Sequence, residues 1–374
     1  MAIDKVVSAS ITDSSVTSAK VASGVLQTNF RNIIINGDMS IAQRGTSTSS
    51  VTTTDGYYAC DRWYSQTDTG TWTISQSTDV PTGQGFVNSF KMDCTSAGTS
   101  NADEVMIRSK HEGQNLQYLK YGTSSAEGLI LTFWIKSNKT GNYYVAFVNN
   151  NSTQDRVVSF GYSIDSADTW EKKTITIPGD TSRSIENTAN EEFTIYWLFS
   201  AASAFTSGGV SNTWIDYSAS RFANSDLAGL GGSTSDEVYM TGAQLEVGTA
   251  ASDFEFLPHD VNLKRCQRYY YLHTGIASNR PIGIGYYYSG TYLGAFVYFP
   301  TTMRNSPSTV SPNSSNYFKI DRNGGSNQFD TFSAEITSPN AVQIYNGSAS
   351  GSTGDVGSVR TNNSSSYLAF ESEL

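Results

Sequence analysis

Short apolar runs separated by turn-forming residues recur along most of this chain, and they limit the folds that are available to it. Trp72 and Ile74 alternate with polar residues, and so do Phe90, Met92 and Cys94. A period of two places every second side chain on the same face of a strand, whereas a helix requires a period near 3.6 residues. The Gly, Ser, Asn and Asp residues between the runs favour turns. The pattern predicts an all-β protein.

The spacing of the runs predicts two β units. About ten short strands fall within residues 31–257, which is typical of a sandwich or a barrel. The runs within 268–374 fit a smaller antiparallel β-sandwich, with one hairpin predicted at Ser289-Gly290. Between the units, residues 258–267 begin with helix-start signals and are predicted to be a connector that can be helical.

Residues 1–30 have a different composition, because they are polar and carry single apolar residues at regular intervals. Ile11, Val16, Val21 and Leu26 recur every five residues. This spacing is neither a heptad nor a strand period, so the segment cannot bury a face by itself. Two interpretations stay open. The segment is either a disordered tail or an extended attachment segment that packs against copies of itself or against a neighbouring protein.

The charge of the chain argues against nucleic-acid and membrane partners. The sequence has 24 Lys and Arg residues against 34 Asp and Glu residues, which gives a formal net charge of −10. Phosphate-rich partners require an electropositive surface. No run reaches the roughly 18 apolar residues of a membrane helix, and the N-terminus lacks a signal-peptide pattern. We therefore expect synthesis in a cytoplasm, no membrane insertion and no signal-dependent export.

The Cys and His residues do not have the spacings that are usual for metal sites or for thiol catalysis. The cysteines and histidines are scattered, without Cys-x-x-Cys or His-x-x-x-His patterns. Residues 321–327 resemble a calcium loop only weakly, and a β-hairpin turning at Asn323-Gly324 explains them better. No metal or other cofactor is predicted. The cysteines are interpreted as small buried residues, and they are Cys60, Cys94 and Cys266.

The sequence also contains no clear candidates for catalytic residues. Glycan-cleaving enzymes hold two carboxylates roughly 5–9.5 Å apart. The acidic pairs of this chain are adjacent in sequence, so in a strand they point to opposite faces, and they are interpreted as solvated edges. These pairs are Asp103-Glu104, Glu191-Glu192 and Asp236-Glu237. No nucleophile elbow or phosphate-binding loop is present. The chain is predicted not to be an enzyme, unless distant carboxylates converge.

Tyrosine and tryptophan side chains are the best candidates for ligand contacts. Their rings can stack on the apolar C–H faces of sugars while keeping a polar group. Three consecutive tyrosines, at 269–271 and at 286–288, must place rings on both faces of a strand. The outward rings then contact water, a ligand or another subunit, and ordinary packing or a subunit interface is the alternative. The candidate ligand contacts are Tyr286, Tyr288, Tyr292, Trp63 and Trp72, and the two tryptophans are expected to be exposed because they lie beside polar neighbours.

Several motifs resemble those of a known family. In the larger unit they are Asn36-Gly37-Asp38-Met39, Gln43-Arg44-Gly45, Asp61-Arg62-Trp63 and Gly242-Ala243-Gln244-Leu245-Glu246-Val247-Gly248. They resemble the jelly-roll module of bacteriophage tail fibres and receptor-binding proteins, which is similar to carbohydrate-binding modules. The motifs that resemble the distal domain of such fibres are Cys266-Gln267-Arg268-Tyr269-Tyr270, Phe299-Pro300-Thr301-Thr302-Met303-Arg304 and Glu371-Ser372-Glu373-Leu374.

This resemblance implies a jelly roll over 31–257 and a distal sandwich over 268–374. It also implies a homotrimeric tail appendage of the virion, made in the host cytoplasm, that binds a host surface glycan. Residues 1–30 would attach it to other tail proteins. Two alternatives stay open. One is a structural virion component, such as a tail adaptor, nozzle or head fibre, without its own receptor. The other is a glycan-degrading enzyme.

The spacing of the apolar residues in the first segment leads to a test of assembly. We expect deletion of residues 1–29 to weaken oligomerisation or virion attachment, because Ile11, Val16, Val21 and Leu26 would pack between chains. Circular dichroism should stay unchanged, since both β units remain. Sedimentation analysis of the full and shortened chains measures the effect. An unchanged oligomer that still joins the tail would contradict the assignment.

Overall fold

The computed structural model describes residues 30–99, 103–311 and 315–374. Ile11, Val16, Val21 and Leu26 therefore lie outside the described residues. The structure confirms the all-β prediction, with a jelly-roll sandwich followed by a smaller antiparallel sandwich. Each sandwich has its own hydrophobic core. Within the described ranges, no helix has the length and apolarity needed to cross a membrane.

One layer of the jelly roll is a six-stranded sheet in which all neighbouring strands are antiparallel. Strands are numbered in chain order. From edge to edge this sheet contains β1 (Ser47–Val51), β4 (Thr71–Ser77), β5 (Ser89–Ser96), β13 (Glu237–Val247), β7 (Leu129–Ser137) and β10 (Glu171–Ile177).

The other layer is a seven-stranded antiparallel sheet. It contains β12 (Ile215–Asp216), β9 (Arg156–Ile164), β8 (Gly141–Asn149), β11 (Glu191–Ser200), β6 (Val105–Glu112), β3 (Tyr64–Thr67) and β2 (Gly56–Tyr57). A one-turn helix, α1 (Ser203–Thr206), lies in the connection that follows β11.

The two layers meet through aromatic side chains. Phe133 of β7 lies 5.2 Å from the ring of Tyr162 in β9 and 6.0 Å from that of Trp197 in β11. Trp63 packs against Trp197 at 5.5 Å. Aromatic rings at these separations add to the stabilisation that comes from burying apolar area. The sandwich is therefore closed by contacts between residues far apart in the sequence.

The distal sandwich pairs a small sheet with a large one. Helix α2 (His259–Gln267) precedes it, in the segment predicted as the connector. The small sheet contains β14 (Tyr270–Leu272), β23 (Ala369–Glu371) and β17 (Ser308–Val310). The large sheet contains β19 (Gly325–Phe329), β18 (Phe318–Arg322), β22 (Val356–Thr361), β15 (Pro281–Tyr287), β16 (Leu293–Tyr298), β21 (Ala341–Asn346) and β20 (Ser333–Thr337).

Three local predictions can be compared with these elements. Residues 321–327 form the predicted hairpin between β18 and β19, with Gly324 at a φ of +89°. The hairpin predicted at Ser289-Gly290 is present, but its connection is longer than two residues, because Tyr288 N bonds to Tyr292 O at 3.0 Å. All three cysteines are buried, as expected.

The motif that begins at Asn36 organises the backbone around it. Asn36 takes a left-handed conformation with a φ of +59°. Its amide group donates to the carbonyl oxygens of Ile41 and Asp61, both at 2.9 Å. The indole of Trp63 donates to the Asn36 carbonyl at 2.9 Å. A Cβ atom on Gly37 would lie 2.0 Å from the carbonyl oxygen of Ala243, so only glycine fits there.

Arg44 and Arg62, which belong to two of the motifs of the larger unit, lie at a junction between the two sandwiches. The Arg62 guanidinium is buried and lies 3.6 Å from the centre of the Tyr269 ring. It forms an ion pair with Glu373 and donates to the carbonyl of Lys110 at 2.7 Å. Beside it, Arg44 lies 3.7 Å from the centre of the Tyr270 ring. The arginines therefore come from the jelly roll, while the carboxylate and the aromatic rings that contact them come from the distal sandwich.

A second set of contacts strengthens the junction. Arg44 also bonds to Glu371 at 3.0 Å and to Glu373 at 3.1 Å. Arg268 contacts Glu112 at 2.6 Å, and the hydroxyl of Tyr269 donates to the same carboxylate. Burial alone would raise the pKa of Glu112, but these hydrogen bonds and the charge of Arg268 hold that pKa below its usual value.

Loss of the buried guanidinium should destabilise the whole chain. Arg62→Ala removes one of the two arginines that contact the buried Glu373 carboxylate and leaves only Arg44 beside it, so the loss should approach the about 3–5 kcal/mol that breaking a buried ion pair typically costs. Chemical denaturation followed by fluorescence measures the change. Lys172→Ala is the matched control, because Lys172 is exposed on β10 and makes no ion pair within the described residues. Equal stability of the two variants would show that the junction is not a stabilising element.

Candidate functional site

The outer face of the large distal sheet carries exposed apolar side chains on neighbouring strands. Strand alternation sends Tyr287 of β15 and Leu293 of β16 into the core, and it sends Ile284 and Phe296 of the same strands outward. Large apolar side chains on this face are 49–76% exposed, and they are Ile284, Tyr288, Phe296, Tyr298, Ile336 and Val356. Together with Tyr286, Tyr292, Glu335, Gln343 and Tyr345 they are here called the outer aromatic face.

Strand register aligns part of this face into a row. Tyr286 pairs with Val356 on one side and with Gly294 on the other, and Gly294 pairs with Tyr345, which pairs with Ser333. Adjacent strands are about 4.8 Å apart, so these five positions span roughly 19 Å. A Cβ atom on Gly294 would lie 3.0 Å from the ring of Tyr286. The glycine therefore leaves room for that ring to lie across the sheet.

The rings of the face support each other. Tyr292 and Tyr345 stack with centroids 5.4 Å apart and an interplanar angle of 6°. Tyr286 and Phe296 stack at 6.1 Å and 15°. Tyr288 meets Tyr292 edge-on at 5.8 Å. Because these five rings are anchored to strands or to strand ends and each contacts another ring, this part of the surface is largely ordered before any ligand arrives.

A polar cluster lies among the rings. The amide nitrogen of Gln343 is 2.7 Å from Glu335 Oε2, 3.0 Å from the hydroxyl of Tyr292 and 3.2 Å from that of Tyr286. The Tyr292 hydroxyl donates to the same carboxylate. Glu335 Oε1 has no protein partner among the described residues. The face therefore combines ring surfaces with a fixed hydrogen-bond acceptor, which can receive a hydroxyl group.

The structure groups some of the predicted contacts and separates the others. Tyr286, Tyr288 and Tyr292 all belong to the outer aromatic face, while their role as ligand contacts stays a prediction. The expectation that Trp63 and Trp72 are exposed is wrong, because both are fully buried. The Trp63 indole bonds to the Asn36 carbonyl and that of Trp72 to the Thr69 carbonyl at 2.8 Å, which satisfies their polar atoms inside the core.

The sequence analysis identified only three of the eleven members of the face, and four of those it missed carried a usable signal. Phe296 and Tyr298 are two residues apart in β16, so their period of two was a usable signal. Tyr345 and Gln343 show the same period in β21. What the sequence could not supply was the pairing of β16 with both β15 and β21, which places the four side chains beside Tyr286.

Comparison with known proteins gives distant likenesses. No family model matches the chain, and no curated protein sequence does. The enzymatically active domain of tailspike protein 4 of bacteriophage CBA120 aligns with 59% of this chain and 22% of its own, at 14% identity and a TM-score of 0.33. The match therefore spans about a fifth of that tailspike chain.

Two further structures come from Paenibacillus barcinonensis Xyn10C. Its CBM22-2 xylan-binding domain aligns over 50% of this chain and 92% of its own, at 11% identity and a TM-score of 0.28. The tandem of CBM22-1 and CBM22-2 aligns over 90% and 99%, at 10% identity and a TM-score of 0.27. At these values the likenesses do not assign a function to this chain.

Two of the acidic pairs are not the solvated edges expected from the sequence. Asp236 is buried and accepts the backbone N–H groups of Gly231 at 2.8 Å and Ser233 at 3.2 Å. Glu192 is also buried, and it accepts the Thr188 hydroxyl at 2.6 Å. Asp236 fixes a turn, because a short acidic side chain can satisfy backbone donors that strands leave unpaired, whereas Glu192 ties the start of β11 to the preceding loop through the Thr188 hydroxyl.

Glu104 and Asp68 form a direct carboxylate pair at one end of the jelly roll. Their side chains share a hydrogen bond. Burial, together with the hydrogen bond and the charge of Asp68, raises the pKa of Glu104 to about 7. Carboxyl groups in direct contact are closer than the roughly 5–9.5 Å of glycosidase pairs. The pair therefore matches neither glycosidase geometry.

The raised pKa of Glu104 gives a pH-dependent test. Between its usual value of 4.5 and about 7, the folded chain binds more protons at this group than the unfolded chain, so its contribution to stability falls as pH rises. Because the group is partly exposed, we expect Glu104→Gln to raise Tm by only about 1–3 °C at pH 8, with little change at pH 4.5. Thermal unfolding at both pH values measures this. A pH-independent difference would contradict the assignment.

Proposed function

We propose that this chain is a non-catalytic glycan-binding protein whose contact surface is the outer aromatic face. The single observation that carries the proposal is the contiguous set of exposed rings around a fixed carboxylate and amide on one sheet. Soluble proteins rarely expose large apolar patches without an interaction to serve. Sugars combine apolar C–H faces with hydroxyl groups, and this surface offers partners for both.

The geometry favours an extended ligand. Binding sites for small molecules are usually concave, whereas the outer aromatic face follows an open sheet. A row of roughly 19 Å can contact several units of a chain at once. The rings are already ordered by stacking, so little conformational entropy is lost on binding. An oligosaccharide or a polysaccharide segment fits this surface better than a single sugar.

The finer proposal is that the chain is a homotrimeric tail-fibre subunit that attaches a phage virion to host surface glycan. Its support is the resemblance of the motifs around Asn36 and Asp61 to tail-fibre modules. Several copies on one virion would turn weak single contacts into firm attachment, because the second contact is intramolecular.

An interface between subunits is the second candidate role of this surface. The observation that favours it is the exposure of Ile284, Ile336 and Val356, because aliphatic side chains are typical of subunit contacts. A protein that used the face in this way could be a structural virion component without a receptor of its own. A glycan-binding face must stay exposed in the oligomer, whereas a subunit interface is buried when subunits associate. Measuring glycan binding and oligomeric state together therefore separates the two roles.

Single-ring removal tests the proposal. Tyr288→Ala and Tyr298→Ala should each weaken glycan binding by about tenfold or more, because these rings are 73% and 76% exposed and remain available for contact. Binding is measured on a glycan array and by adsorption to host cells. Tyr118→Ala is the matched control, since Tyr118 is 51% exposed on the jelly roll and should have no effect.

The oligomeric state of each variant is measured by sedimentation in parallel. Lost binding with an unchanged oligomer supports glycan recognition at this face. Dissociation of the oligomer instead assigns the rings to a subunit interface. Unchanged binding by both variants would place the ligand on another surface and would overturn the proposal.

A further inference from the structure

We infer that Glu335 makes the outer aromatic face selective for uncharged glycans. It would disfavour units that carry carboxylate, sulfate or phosphate groups. This inference rests on the proposed function, and it adds the ligand class and the residue that sets it. Glu335 would do so by accepting hydroxyl groups directly and by repelling anions.

The strands that form most of the outer aromatic face carry very few charged residues. Residues 281–298, which include β15 and β16, contain no Asp, Glu, Lys or Arg. Residues 333–346, which include β20 and β21, contain one charged residue, Glu335. The four strands that carry most of the rings therefore present a single charge, and it is negative. A ligand that contacts these rings meets no cation on them.

Charged residues of the same sheet lie on its other half. Arg360 of β22 forms an ion pair with Asp321 of β18, and Lys319 pairs with Arg360 in register. β22 is four strand positions from β20, which is about 19 Å at the usual spacing. The Debye length in physiological salt is about 8 Å. These cations therefore do not offset the field of Glu335 at its own end of the sheet.

The carboxylate is also held in place. Gln343 donates to Glu335 Oε2 at 2.7 Å, and the Tyr292 hydroxyl donates to the same oxygen. Oε1 has no protein partner among the described residues, so it is available to a sugar hydroxyl. Because Tyr292 stacks on Tyr345, this acceptor lies beside a ring pair.

Repulsion at contact distance is large enough to measure. Two like charges about 4 Å apart near a protein surface interact strongly enough to change an equilibrium constant by tenfold or more. A neutral sugar in the same position loses nothing and gains a charge-assisted hydrogen bond. We therefore expect neutral chains to bind about tenfold more tightly than chains of the same linkage that carry a carboxylate on each unit.

The test uses the full chain and matched pairs of probes. Maltohexaose, cellohexaose and mannohexaose, in which the 1,4-linkages leave C6 free, are each compared with a form in which the C6 hydroxymethyl groups are oxidised to carboxylates. Binding is measured by biolayer interferometry at low and high salt. Glu335→Gln should reduce the preference for the neutral member from about tenfold to under about threefold. It should also remove the salt dependence of that preference, because screening acts only on charge.

Asp260→Asn is the control, because it makes the same change of net charge on helix α2 and should keep the preference. Both substituted side chains are exposed, and thermal unfolding checks that the variants remain folded. Equal or tighter binding of the oxidised probes by the unaltered chain would overturn the inference while leaving glycan binding intact. Failure of every probe of either form to bind would overturn the proposed function, and this inference with it.

Discussion

The Arg62 guanidinium connects the two sandwiches, and the arrangement of the molecule depends on it. Its charge lies where water cannot solvate it, so it must be compensated by protein groups. Glu373 supplies the opposite charge, Tyr269 supplies a ring face and the Lys110 carbonyl accepts a hydrogen bond. These partners come from both sandwiches. The guanidinium therefore has its opposite charge and its ring contact only when the distal sandwich is docked on the jelly roll.

This junction explains what the recognisable motifs do. Asn36 and Asp61 hold the loops that position Arg62, and Gly37 permits close contact with β13. None of these residues belongs to the outer aromatic face. The motifs that resemble tail-fibre modules therefore support the docking of two sandwiches, while the candidate ligand surface uses residues outside them. Such a division would allow the surface to vary while the junction stays the same.

The all-β fold was predictable from the sequence because a period of two is a local property. Exposure was harder to predict, and Trp72 shows why. Its polar neighbours in β4 suggested a solvated ring, yet alternation sends those neighbours outward and the indole inward. The candidate surface was predicted in part, since Tyr286 lies in β15 and Tyr288 follows directly after its end with the same period of two. Glu335 was missed, because its closeness to Tyr292 depends on the pairing of β20 with β21 and on a bulge in that pairing.

Chemical footprinting of tyrosine side chains tests the central claim most directly. The full chain would be labelled with and without a bound oligosaccharide, and the reactivity of each tyrosine would be measured by mass spectrometry. The proposal predicts that Tyr288 and Tyr298 react readily in the free chain and become protected when the glycan binds. The reactivity of Tyr118 should be the same with and without the glycan. Protection of Tyr288 and Tyr298 already in the free chain, or glycan-induced protection only elsewhere, would contradict it.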